Sequence, residues 1–147
     1  MMKIALDAMG GDHAPGVIIR GAVEACRLFD DLKIILVGRS NDINKELGNN
    51  YNKDRVEVIN AEEIIEMNES PTRAIRRKKN SSIVKGMDLL KNDKVDAFIS
   101  AGNTGAVMAG GLFRLGRLKG IKRPSILINF PNVQGQTIVL DNGANTD

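Results

Sequence analysis

The residues that can do chemistry are concentrated in three short segments rich in glycine, asparagine and aspartate. Residues 7–15 read DAMGGDHAP, residues 100–108 read SAGNTGAVM, and residues 141–147 read DNGANTD. Each segment lies at the end of an apolar run of strand length, and in an open α/β sheet ligands bind beyond the carboxyl ends of the strands. We therefore expect the functional site to be built from these three segments.

The first segment contains the only histidine of the chain, His13, next to Asp12. Gly10 and Gly11 allow the backbone to adopt positive φ or to approach a ligand closely. We take His13 and Asp12 as candidate catalytic groups and the two glycines as candidate substrate contacts. A structural alternative stays open, in which the segment is a strained turn, Asp12 caps the next helix, and His13 caps or packs.

The second segment places small residues and a capping residue at a turn from strand to helix. Free backbone amides at the start of a helix, together with the helix dipole, favour a phosphate or a developing oxyanion. Asn103 is a candidate catalytic residue here, and Gly102, Thr104 and Gly105 are candidate substrate-binding residues. The pattern is neither a Walker loop nor a dinucleotide fingerprint, so a plain tight turn is equally compatible with the spacing.

The third segment offers carboxylates and side-chain amides in a glycine turn. Asp141, Asn142 and Asn145 are candidate substrate-binding residues. Such a turn can hold a metal or orient a substrate, but Asn and Asp also form turns for local reasons. The only cysteine, Cys26, lies in an apolar stretch of helical periodicity, where we expect a small buried side chain. We expect neither a metal nor an organic cofactor.

Positive charge is clustered at residues 73–79 and 114–123. Such runs are ordinarily the solvated face of a helix, but an anionic substrate, an acidic carrier protein or lipid headgroups fit them equally well. Arg73 is the candidate substrate contact in the first cluster. Nucleic acid is not expected, because aromatic residues make up 3% of the chain and tryptophan is absent, which leaves no platform for stacking bases.

Six apolar runs of strand length must position these segments. They cover residues 3–8, 33–38, 55–59, 95–100, 125–130 and 137–141. Most of them are separated by stretches with helical periodicity, which predicts an α/β domain with a mainly parallel sheet. The last two runs are only a few residues apart, too close for a parallel crossover, so we expect an antiparallel hairpin that makes the sheet mixed.

Helix starts are marked by residues that can cap. Ser40 and Ser81 each precede a helical pattern, and Ser70 does so with Pro71 at the first helical position. The last helix is predicted to begin near Asn103. After residue 141 no helix covers the preceding strands, so we infer that the 147 residues belong to a longer protein.

Composition sets broad limits on the class of protein. With 147 residues, 42% of them hydrophobic and 27% charged, the chain has the profile of one soluble domain, and its formal net charge is only +3. No apolar stretch at the start is long enough for a signal peptide, and none elsewhere reaches the roughly 20 residues of a membrane span. We therefore expect a cytoplasmic location.

Four motifs, taken in order, resemble the PlsX-type phosphate acyltransferase family. They are KIALDAMGGDHAP, ESPTRAIRRKKNSSI, VDAFISAGNTGAVMAGG and LDNGANTD. The resemblance implies that residues 1–147 are the amino-terminal part of a single α/β acyltransferase domain. It further implies a three-layer α/β/α fold similar to isopropylmalate dehydrogenase and phosphotransacetylase, a homodimer, and peripheral contact with the membrane through the remainder of the protein.

The resemblance implies attack of inorganic phosphate on an acyl thioester of acyl carrier protein, giving acyl-phosphate. Backbone amides of residues 102–105 and the cation of Arg73 would offset the charge, and His13 would relay a proton. A phosphotransacetylase-like enzyme that uses acyl-CoA and a non-catalytic module that binds acyl carrier protein remain alternatives. The 147 residues alone are expected to transfer little or no acyl group.

Overall fold

The chain folds into two units, Met1–Leu115 and Gly116–Asp147. The computed structural model describes residues 1–49, 51–121 and 124–140. The first unit contains, in order, β1 (Met2–Asp7), α1 (Gly16–Leu28), β2 (Leu32–Gly38), α2 (Ser40–Leu47), β3 (Val56–Asn60), α3 (Pro71–Arg77), α4 (Ser82–Lys91), β4 (Ala97–Ile99) and α5 (Thr104–Gly110), followed by a π-helical turn (Gly111–Leu115). The second unit contains β5 (Leu127–Asn132) and β6 (Gly135–Leu140).

The four strands of the first unit form one parallel sheet in the order β3-β2-β1-β4. The chain adds β2 and β3 on one side of β1 and then returns to add β4 on the other side. This reversal of strand order places a switch point between β1 and β4, where the loops that follow the two strands diverge and leave room for a ligand. The expected mainly parallel α/β fold is confirmed.

Alternation of side chains along the strands gives the sheet two covered faces. Leu36 of β2 packs on one face in a cluster with Ile19 of α1 and Ile43 of α2. Val37, the next residue, points to the other face, where its cluster includes Leu90 of α4. Because β2 is a central strand that is buried on both faces, nearly all of its residues are apolar, as in its sequence LKIILVG. The first unit therefore has helices on both sides of its sheet, in an α/β/α arrangement.

The predicted helix starts are found in the structure. Ser81 caps α4 by accepting the Val84 amide at 3.4 Å, and Asn103 caps α5. Ser70 is the residue before α3, and Ser40 is the first residue of α2, but neither helix has a side-chain cap hydrogen bond. The sequence therefore located the starts correctly, while the capping bond forms at only two of these four positions.

The predicted hairpin forms, but it is not part of the main sheet. β5 and β6 pair antiparallel from Leu127↔Leu140 to Asn132↔Gly135, which confirms the expected pairing. Within residues 1–49, 51–121 and 124–140 they make a separate two-stranded sheet, so the expectation of one mixed sheet is wrong. A physical reason lies in β4, whose three residues offer few backbone groups to a further strand.

An apolar groove of about 300 Å³ lies open beside α1 and the edge of the sheet. Side chains of Ile4, Leu6, Ile18, Ala25 and Ile99 contribute to its lining. Ile99 of the edge strand β4 remains 50% exposed. Apolar area is therefore exposed on the side of the sheet that α1 covers only in part.

The helices are short compared with the thickness of a bilayer. α1, at 13 residues, is the longest in the described part of the chain, whereas a membrane span needs about 20 residues. Among the described residues, no helix is both long enough and apolar enough to cross a membrane.

The contact between α4 and β4 depends on a glycine. The Phe98 ring lies across Gly86, so that a Cβ at this position would overlap the ring. We expect Gly86→Ala to lower the free energy of unfolding of the 147-residue chain by about 1–3 kcal/mol, because the ring must leave its packed position. Gly21→Ala in α1 is the control: no atom lies within 4 Å of its Cβ position, so we expect about 0.5–1 kcal/mol of stabilisation.

Urea unfolding followed by circular dichroism measures both changes. Equal unfolding free energies for Gly86→Ala and the unsubstituted chain would contradict the packing described here.

Candidate functional site

The carboxyl ends of β1 and β4 are joined by a buried carboxylate. Asp7, the last residue of β1, is 1% exposed. Its Oδ1 accepts the Met9 amide at 3.0 Å, and its Oδ2 accepts the hydroxyl of Ser100, the residue after β4, at 2.7 Å. Ser100 Oγ in turn accepts the Gly102 amide at 3.1 Å. The two loops at the switch point are therefore connected through side chains.

The two loops also touch through their backbones. A Cβ at Gly10 would lie 2.6 Å from Asp7 Oδ2 and 2.7 Å from the Gly102 nitrogen, so only glycine fits. Gly11 has φ of +104°, a region that favours glycine, and it lies against Ala101. The first two of the three segments selected from the sequence therefore lie side by side.

Several backbone amides in these loops have no partner among the described residues. This holds for residues 10–13 of the first loop and for Thr104 and Gly105 at the start of α5. The Gly102 amide, in contrast, is used by Ser100. Unpaired amides on adjoining turns can form a concave site for an anion. The unpaired amides therefore belong to the residues around Gly102 and not to Gly102 itself, whose role in substrate binding stays a prediction.

Asn103 is 6% exposed, and its side chain is fully engaged with the backbone. Oδ1 accepts the Ala106 amide at 2.9 Å and so caps α5. Nδ2 lies within hydrogen-bond distance of the carbonyls of Glu66, Met67 and Glu69, at 3.1, 3.2 and 3.4 Å. These contacts give Asn103 a role in holding the 66–69 loop against α5. The catalytic role that the sequence suggested for it stays a prediction.

Arg73 lies on α3, a helix that packs on α5. A Cβ at Gly105 would lie 2.7 Å from Pro71 Cγ, so the first turns of the two helices are in contact. Arg73 is exposed and lines an open cavity of about 310 Å³ together with Ser70 and Arg77. Within the described part of the chain, neither arginine has a carboxylate partner.

Lys78, in the same cavity, is already neutralised. Its Nζ pairs with the Glu69 carboxylate and donates to the Ile64 carbonyl at 2.6 Å. The hydrogen bond from Lys78 lowers the pKa of Glu69 below the ordinary value for glutamate. Arg73 and Arg77 are therefore the cations of this cavity that remain available to an anion.

The second predicted cluster of positive charge is partly used for structure. Arg114 makes a two-pronged contact with Asp88 of α4, through Nε at 2.8 Å and through Nη2, and this contact raises the pKa of Arg114. Arg76, from the first cluster, lies 5.0 Å from the centroid of the Phe113 ring. Of the 114–123 run, residues 122 and 123 are outside the described residues.

The structural alternative for the first loop is a strained turn in which Asp12 caps the next helix and His13 caps or packs. The structure does not show the capping role of Asp12. Asp12 and His13 are both exposed, and α1 begins without a side-chain cap, so Asp12 does not cap it. His13 contributes only its carbonyl, which accepts the Val17 amide at 3.3 Å. Both side chains are thus open to solvent beside the unpaired amides, and their catalytic roles stay predictions.

Asp141, Asn142 and Asn145 lie outside the described residues, as does the whole third segment. Sequence reasoning in turn missed Asp7 and Ser100 as individual residues, although both stand at the edges of the segments it selected. The available signal was the position of Asp7, a carboxylate that ends an apolar strand directly before a glycine pair. Spacing along the chain cannot show that its partner lies 93 residues away.

Nearly the whole chain is similar to known proteins. A family model described as "Fatty acid synthesis protein" matches residues 2–147. The chain is 58% identical over 147 residues to a phosphate acyltransferase of Halothermothrix orenii, an alignment that covers 99% of this chain and 44% of that protein. Phosphate acyltransferases of Caldanaerobacter subterraneus and Thermoanaerobacter pseudethanolicus are 51% and 48% identical over 146 residues, with 99% of this chain and 43% of each relative covered. The chain thus spans less than half the length of these curated relatives.

The contacts of Asn103 predict a large effect of its removal on stability. We expect Asn103→Ala to lower the free energy of unfolding by about 1–3 kcal/mol, because α5 loses its cap and three carbonyls of the 66–69 loop lose a donor. Asn92→Ala is the control: Asn92 is exposed and its side chain donates only to the Asp88 carbonyl among the described residues, so a change within about 0.5 kcal/mol is expected. Denaturant unfolding measures both changes. If the two variants lose equal free energy of unfolding, Asn103 does not hold the 66–69 loop against α5.

The Glu69–Lys78 pair predicts a pH-dependent contribution to stability. Because folding lowers the pKa of Glu69, the pair stabilises the folded state above the pKa of glutamate in the unfolded chain. This contribution is lost as the pH falls through the lower, folded-state pKa. We expect the melting temperature of Glu69→Gln to lie below that of the unsubstituted protein at neutral pH and to converge with it in acid.

The control for this pH effect is Glu24→Gln, which removes the solvated pair with Arg27, whose side chains are both more than half exposed. Exposed pairs contribute little, so its melting temperature is expected to follow the unsubstituted protein at every pH. A Glu69→Gln deficit that persists unchanged in acid would show that the carboxylate charge is not its cause.

Proposed function

We propose, from the premise that this chain belongs to the fatty acid synthesis protein family, that the complete protein is an acyltransferase of lipid synthesis with inorganic phosphate as the acyl acceptor. The observation that carries the proposal is the contact of two glycine loops at the switch point, with unpaired amides on both. The names of the relatives, phosphate acyltransferase, support the same reaction. Residues 1–147 would form the amino-terminal part of one acyltransferase domain.

Phosphate needs offsetting charge more than it needs a base. It is already an anion at neutral pH, so the protein must hold it close to the acyl carbonyl and stabilise the charge that develops there. The amides of Gly11, Thr104 and Gly105 are suited to this task because no described residue occupies them. Arg73 adds a full positive charge on the helix that packs against α5.

The reaction we propose is direct attack on a thioester. A phosphate oxygen adds to the carbonyl carbon, and the resulting tetrahedral oxyanion is stabilised by the loop amides. The carbon–sulfur bond then breaks, its electron pair goes to sulfur, and the leaving thiolate takes up a proton. His13, beside Asp12 in the first loop, is the group that we assign to this proton transfer. The products are acyl-phosphate and a free thiol.

We assign acyl carrier protein as the donor of the acyl group, on the basis of the sequence resemblance. The exposed cations of α3 support this assignment, since they offer positive charge to an acidic protein on the helix whose first turn packs against α5. A donor of the coenzyme A type would make the protein similar to a phosphotransacetylase. Binding of acyl carrier protein without turnover would instead make it a binding module.

The test is release of free thiol by the complete protein. With acyl carrier protein that carries a long-chain acyl group, we expect release of free thiol that depends on added phosphate. With acyl-CoA as the donor, we expect the release of thiol to be much slower. We expect Arg73→Ala to raise the KM for phosphate about tenfold, because a charged contact is lost. Arg20→Ala, which removes an exposed arginine of α1, is the matched control and should leave this KM unchanged.

Two outcomes would contradict the proposal. Thiol release that is independent of phosphate would exclude phosphate as the acceptor. Equal effects of Arg73→Ala and Arg20→Ala on the KM would exclude the assigned position of the phosphate.

A further inference from the structure

We propose that Asp7 and Ser100 are positioning residues for the phosphate site, acting through the loops they join rather than by contact with substrate. Their hydrogen bond is called here the Asp7–Ser100 linkage. The inference deepens the proposed function of the same site and rests on it. It assigns to two side chains the task of keeping the unpaired amides of both loops at the spacing that one phosphate needs.

Each oxygen of the Asp7 carboxylate accepts a hydrogen bond from a different residue. Asp7 is almost completely buried, and its two oxygens accept separately from Met9 and Ser100. No described cation pairs with this carboxylate, so neutral donors alone stabilise its charge. A buried ion held only by such donors is strongly destabilised when one of them is removed. The positions of Met9 and Ser100 are therefore tied to each other through Asp7.

The linkage also decides which amides face a ligand. Ser100 Oγ donates to Asp7 and accepts from Gly102, so the Gly102 amide is turned inward. Gly10 fills the space between the Asp7 carboxylate and the Gly102 nitrogen. With both loops pinned at this point, the neighbouring amides of residues 11–13 and 104–105 are left as the unpaired donors. Loss of the Ser100 hydroxyl would free the Gly102 amide and release the loops.

The negative charge of Asp7 allows an electrostatic role of this residue to be distinguished from a positioning role. A carboxylate near an anion site repels the anion, so removing the charge with unchanged loops would tighten phosphate binding. If Asp7 acts by position, Asp7→Asn must instead weaken binding, because one of the two oxygens that accept separately from Met9 and Ser100 is replaced by an NH2 group, which cannot accept. Charge and position therefore predict opposite changes in the KM for phosphate.

The opposite end of the same two strands provides a matched control. Asp96 precedes β4, and its Oδ2 accepts the Lys3 amide of β1 at 2.7 Å. Asp96→Asn thus also removes one negative charge and one carboxylate link between the same two segments. It does so at the amino ends of the strands, away from the loops.

The experiment measures steady-state kinetics and amide exchange on the complete protein. We expect Ser100→Ala and Asp7→Asn each to raise the KM for phosphate at least about tenfold, while the KM for the thioester stays the same, because displaced loops misplace the phosphate. Ser100→Thr, which keeps a hydroxyl, should restore part of the loss. Asp96→Asn should leave the KM for phosphate unchanged. By NMR, amide exchange in Ser100→Ala should become faster at Met9, at Gly102 and at Ala14, whose amide donates to the Gly11 carbonyl within the first loop.

A lower or unchanged KM for phosphate in folded Asp7→Asn and Ser100→Ala would overturn the proposal. If Asp7→Asn fails to fold, the comparison of Ser100→Ala with Ser100→Thr decides alone. If the unsubstituted protein transfers no acyl group to phosphate, the proposed function is wrong, and amide exchange then tests the linkage separately. Faster exchange confined to Gly102 in Ser100→Ala would show that the two loops are not held by this linkage.

Discussion

Close approach of the backbone at Gly10 and Gly102 is the constraint on which the candidate site depends. The sheet order places β1 and β4 next to each other, and their following loops must diverge to opposite faces. They can start to do so only if the space between them is filled by backbone and not by side chains, since a Cβ at Gly10 would lie 2.7 Å from the Gly102 nitrogen. The buried Asp7 carboxylate then fixes this contact with directional hydrogen bonds.

A second layer of contacts connects the strand ends to the cationic helix. Asn103 caps α5 and holds the 66–69 loop, while Gly105 lets Pro71 pack closely against the same helix start. Both residues were selected from the sequence for chemistry, yet the contacts observed for them are structural. In this protein the same short motif both builds the scaffold and leaves unpaired amides beside it. A glycine or asparagine in such a loop therefore does not by its type reveal which task it performs.

Charge is distributed unequally between structure and site. Lys78 and Arg114 are committed to Glu69 and Asp88, and these pairs join neighbouring helices and loops. Arg73 and Arg77 lie close to the first of these pairs without a described carboxylate partner. An anion that enters here meets positive charge that has not been neutralised and loses little on leaving water, because the cavity is open. This arrangement favours recognition of a phosphate or an acidic protein surface over a neutral ligand.

The sequence by itself determined the elements, their type and the family. Apolar runs alternating with helical periodicity report local burial and backbone preference, so β1 to β4 and the helix starts at Ser81 and Asn103 could be located correctly. The antiparallel pairing of β5 and β6 followed from their short connection, but their separation from the parallel sheet did not, because strand partners are chosen by non-local hydrogen bonding. The same limit hid the role of Asp7 and Ser100. Only the tertiary structure brings these two side chains together across 93 residues, since a hydrogen bond depends on distance in space and leaves no periodic trace along the chain.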